Sequence, residues 1–72
     1  SLGKIKEAAS EWERQLVLDP WHLDSVRELS TLYAGSGSLK EAERVLREAV
    51  EKFPEERELK LNLEKIRRSL RG

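Results

Sequence analysis

The chain has 72 residues, 39% charged and 38% hydrophobic, with 14 Lys+Arg against 14 Asp+Glu and neither Cys nor Met. One small domain is the most this length holds, and a fold of this size buries only about 60% of its unfolded surface. Missing cysteines exclude a disulfide framework and thiolate metal sites, zero net charge argues against non-specific nucleic-acid binding, and no apolar run approaches the roughly 20 residues that cross a bilayer.

The hydrophobic periodicity predicts four helices. Residues 4–18 place Ile5, Ala8, Ala9, Trp12 and Leu16 on one face at helical spacing. Asp19-Pro20 ends this helix, because the residue before proline avoids the helical region and proline has no N–H to continue the ladder. A second helix, 22–34, turns Val26, Leu29, Ser30, Leu32 and Tyr33 inward, and Gly35-Ser36-Gly37-Ser38 makes a turn. Ser38 and Glu41 have the spacing of a capping box, in which hydroxyl and carboxylate each satisfy a free N–H. The third helix, 39–52, presents Leu39, Ala42, Val45, Leu46, Ala49 and Val50, and Phe53-Pro54 stops it. The fourth, 55–70, opens on Glu55-Glu56 in an acidic first turn and carries the narrower stripe Leu59, Leu63, Ile66, Leu70. No segment alternates with period two, so the fold class is all-α.

An internal repeat sets the architecture. A shift of 34 residues lays Gly3 on Gly37, Ile5 on Leu39, Glu7 on Glu41, Ala8 on Ala42, Trp12 on Leu46, Leu16 on Val50 and Pro20 on Pro54. The fourth helix repeats the second in the same register, Leu29 falling on Leu63 and Leu32 on Ile66. Within residues 21–54 stand Val26-x2-Leu29-Ser30-x2-Tyr33, then Gly37, Ala42-x3-Leu46, Ala49 and Pro54. This resembles the tetratricopeptide repeat pattern W-x2-L-G-x2-Y, A-x3-F, P, with Val26 for the Trp, Ser30 for the Gly and Leu46 for the Phe.

The resemblance implies a right-handed α-α superhelix of about four antiparallel helices, read as one domain over residues 1–72. Residues 3–20 would be the second helix of a partial repeat, 21–54 a complete repeat and 55–72 a capping helix. Two departures support the cap: Glu64 and Arg67 stand where Ser30 and Tyr33 stood, and a helix packed over them would bury charge against apolar groups. The opening at Gly3, in mid-repeat, and Ser1 as a cleavage scar point to an excised or engineered piece. No signal peptide is visible, and a cytoplasmic location is the default expectation.

Candidate chemistry is sparse. His22, the single imidazole, has no partner at metal-ligand spacing, although Asp19 and Asp24 stand close in sequence. Gly35-Ser36-Gly37-Ser38-Leu39-Lys40 lacks the Gly-Lys-Ser/Thr ending of a phosphate loop and follows no strand. No nucleophile–base pair can be assembled around one His. The expectation is therefore a non-enzyme without cofactor or metal. Trp12 reads as core, whereas Trp21 either plugs the edge of the helix stack or stands exposed as a contact.

By analogy with the family, the groove-side residues are Asp24, Arg27, Thr31 and Ala34 on the second helix, with Glu58, Leu61, Lys65 and Arg68 on the fourth and Asn62 at the margin. Leu61 lies off the apolar stripe, so it has no evident structural task. The resemblance implies a protein-interaction scaffold holding a peptide or partner helix there, with no nucleic acid or membrane as partner. The alternative is a self-assembling or engineered repeat element. Ile5, Ala9, Trp12 and Leu16 are the expected self-association stripe, giving a homodimer or higher oligomer through the uncovered first helix. A further basic patch, six cations against two anions over residues 57–72, reads first as a solvated helix end with cations favoured by the macrodipole.

Overall fold

A computed structural model describes the backbone over residues 2–72 and the side chains over 3–72; the reading of Ser1 lies outside it. Four helices follow one another: α1 (Leu2–Leu18), α2 (Leu23–Gly35), α3 (Leu39–Lys52) and α4 (Arg57–Arg71). Among the described residues there is no strand, and no helix is long and apolar enough to cross a membrane. Each helix packs on its neighbours in the chain, giving a slab of 31 × 30 × 13 Å. Short connections force successive helices back along each other, as in a helical repeat.

The punctuation residues act locally. After α1, Asp19 donates its N–H to Gln15 and its carboxylate accepts from the Trp21 N–H at 3.2 Å. That side-chain turn starts the reversal which Pro20 requires. Gly37 sits at φ +83°, with its N–H on the carbonyl of Ala34 and that of Ser38 on Tyr33. These are the two bonds of a Schellman motif, which closes α2 and needs a left-handed residue at the position of Gly37.

α1 begins at Leu2 rather than residue 4, and the N-terminal capping of the other three helices differs from the expectation. His22, expected as the first helical residue, is instead the N-cap of α2, its ring accepting from the N–H of Ser25. Ser38 is the N-cap of α3 but makes no side-chain cap bond. Its hydroxyl instead lies 3.4 Å from that of Ser36, so the capping box with Glu41 does not form. Glu55-Glu56 precede α4, Glu56 being its N-cap, and the acidic residue of its first turn is Glu58.

The core is one cluster, filled by Val26 and Leu29 of α2, Ala42, Val45, Leu46 and Ala49 of α3, Leu59, Leu63 and Ile66 of α4, and Ala9 of α1. Buried with them is Ser30, whose hydroxyl donates to the Arg27 carbonyl at 3.0 Å, so no polar group is left unsatisfied at that position. Leu32 and Tyr33 are only half-buried against the cluster, and Leu70 leaves the stripe for the surface at 37% exposure. The hydrophobic free energy, about 25 cal/mol per Å² removed from water, is therefore concentrated in the α2–α3–α4 unit.

Candidate protein-interaction groove

α2 and α4 stand in equivalent repeat positions and flank α3. Between them opens a cavity of about 440 Å³. Four of the expected groove residues meet here: Thr31 and Ala34 from α2, Asn62 and Lys65 from α4. Ser30, Gly35, Leu46 and Ile66 complete the lining. Sequence reasoning had spent Ser30, Leu46 and Ile66 on the core and Gly35 on a turn. The signal that finds them is helical adjacency, since 30, 31, 34 and 35 form one face and 62, 65 and 66 another.

The remaining expected residues lie apart from this cavity. Asp24 is exposed in the first turn of α2, where an anion complements the helix N-terminus. Arg27 is half-buried and bridges to α4, its guanidinium 3.3 Å from Glu58 and 3.8 Å from Glu56. The pair joins α2 to α4 beyond the cavity lining, and the Nε of Arg27 is buried with no hydrogen-bond partner among the described residues. Leu61 is 58% exposed, and Arg68 is exposed in the last turn of α4. Glu64 and Arg67 are both exposed, Arg67 reaching back to Glu43 of α3 at 3.5 Å.

The stripe expected to mediate self-association is divided between core and surface. Ala9 belongs to the core, Trp12 and Leu16 pack against it, and Ile5 is half-buried. Trp21 is 62% exposed, and its ring meets Phe53 edge to face at 5.6 Å. His22 is engaged as a cap, and no group of three or more acidic or His side chains among the described residues could hold a metal ion.

The cavity between α2 and α4 thus combines an apolar floor with a few polar side chains that have no structural partners among the described residues, the make-up of a ligand-holding surface. The tetratricopeptide repeat family model matches residues 23–66, which runs from the start of α2 into α4. No curated protein and no solved structure matches the chain.

Proposed function

Because the chain belongs to the tetratricopeptide repeat family, whose repeats generally mediate contacts between proteins, we propose that it holds an extended peptide or a partner helix between α2 and α4. The observation that carries this reading is the cavity itself. It gathers Thr31, Asn62 and Lys65 around an apolar floor of Ala34, Leu46 and Ile66, and none of those three polar side chains makes a hydrogen bond or ion pair within the fold among the described residues. Apolar floor and free polar groups are what fix an anchor side chain and the backbone around it. Exposed Leu61 extends the apolar surface along α4.

A random peptide display library selected on the 72-residue chain tests this. Selected peptides should perturb amide resonances of α2 and α4, and Thr31→Lys or Asn62→Lys should weaken them by about tenfold or more, equivalent to roughly 1.4 kcal/mol. Binding indifferent to both substitutions overturns the groove assignment.

A further inference from the structure

Val17, Leu18 and Trp21 are 80%, 77% and 62% exposed. Under the 34-residue shift they fall on Glu51, Lys52 and Glu55. Those three are also exposed, although α3 has α2 on one side and α4 on the other. Stacking of helices along the repeat therefore leaves these positions in water, and the complete repeat places charges there. The apolar side chains at the end of α1 are not core residues awaiting another repeat. Large apolar side chains exposed together at the end of a helix mark a contact.

Beside them lies a slot. Between α1 and α3 a cavity of about 330 Å³ is floored by Leu16, Val26, Leu29, Val45 and Ala49, with Val17 and Pro20 on its edge. A projecting apolar side chain and an apolar recess thus occupy one continuous patch. Such a patch can match itself across a two-fold axis, where each copy supplies both parts.

We propose that this patch binds a second copy of the chain, Val17 and Leu18 of each copy packing over the α1–α3 slot of the other. The charges favour this occupant. Glu13, Arg44, Glu48 and Lys52 line the slot, Arg44 bridging to both carboxylates so that the lining sums to zero charge, and Arg14 lies one helical turn before Val17 and Leu18. Arg14 and Lys52 form no salt bridge among the described residues. A rim carrying both signs finds opposite charges on a two-fold copy of itself, whereas a uniformly acidic or basic partner meets repulsion as well as attraction. With a net charge of zero, two copies also approach without net repulsion.

Sedimentation of the 72-residue chain between about 10 and 500 µM, the range in which a small interface associates, decides the matter. The expected result is a concentration-dependent conversion from 8.3 kDa to twice that mass. Val17→Glu with Leu18→Lys, which installs the charges found one repeat later, should weaken association at least tenfold while helix content by circular dichroism stays unchanged. The groove variant Asn62→Lys should leave association intact. A monomer at every concentration overturns the proposal, as does an association that survives the Val17/Leu18 double substitution or is lost on Asn62→Lys.

Discussion

Arg44 on α3 reaches across the sheet-free stack to Glu13 on α1, donating from its guanidinium to the carboxylate. The same guanidinium lies 3.4 Å from both Glu41 and Glu48 on its own helix, so one cation serves three anions. Both partners of the inter-helix pair are about two-fifths exposed, and an exposed pair contributes at most about 1 kcal/mol. Glu13 also acts on the neighbouring phenol.

Tyr33 has its pKa raised above the ordinary 10.0, first by burial and next by the negative charge of Glu13. A phenolate is therefore less favourable in the folded chain than in the unfolded one. The stabilisation is complete below pH about 10, where both forms are neutral, and it is lost as pH climbs through the higher folded value. Absorbance titration of this single tyrosine should give a midpoint above that of the denatured chain. Glu13→Gln should lower the midpoint without restoring the ordinary value, because burial remains. An unchanged midpoint in Glu13→Gln would remove Glu13 as a cause.

His22 is expected to matter for stability alone. Its Nδ1 accepts from the Ser25 N–H at 3.2 Å and lies 2.6 Å from the Ser25 hydroxyl, which is fully buried. Removing the ring leaves a helix N-terminus uncapped and a buried hydroxyl unpaired. His22→Ala should cost about 1–3 kcal/mol, and His22→Asn, whose side chain can also cap, should recover part of it. Chemical denaturation measures both. Equal stability of all three chains would show that the cap contributes nothing.

Ala42 and Leu46 fill the centre of the repeat at 0% and 1% exposure. Added methylenes have no room there, so Ala42→Leu should lower stability by about 1–3 kcal/mol. Glu64→Ala on exposed α4 should change it by no more than about 0.5 kcal/mol. Thermal unfolding separates the two outcomes. A neutral Ala42→Leu would contradict the packing at the repeat's centre, and a large loss in Glu64→Ala would require another element over α4.

Helix number and order were legible because periodicity and proline report on backbone chemistry that needs no tertiary context. Asp19-Pro20 and Phe53-Pro54 end their helices for reasons internal to each dipeptide. The helix starts were less legible. Ser38 has the residue type for a capping box, yet its hydroxyl turns to Ser36, and His22 caps α2 although imidazole is not among the usual capping side chains. Of the residues that family register assigns to a groove, Thr31, Asn62 and Lys65 meet in one cavity, while Arg27 is taken up by Glu56 and Glu58 across helices. Such a pairing depends on where two distant helices settle, which a local pattern does not contain. The same is true of the α1 stripe, in which Ala9 joins the core while Ile5, Trp12 and Leu16 stay half-buried.

The two glycines that bracket the end of α2 should respond oppositely to alanine. An added Cβ meets no atom within 4 Å at either Gly35 or Gly37, so any difference between them is a matter of backbone conformation. Gly35 is the last residue of α2 and has no positive φ. Alanine there keeps the helical geometry and removes freedom from the unfolded chain, which stabilises by about 0.4–1 kcal/mol. Gly37 is at φ +83°, where the Cβ of an L-residue crowds its own carbonyl at a cost of about 1–2 kcal/mol. Relieving that strain would break the bonds from Gly37 to Ala34 and from Ser38 to Tyr33 and so misdirect α3 relative to α2. Gly35→Ala should therefore raise the thermal midpoint and Gly37→Ala should lower it. Gly37→Asn should fall between Gly37→Ala and the parent, since asparagine tolerates the left-handed region better than alanine. If Gly37→Ala matched the parent in stability, α2 would not end in the left-handed turn described.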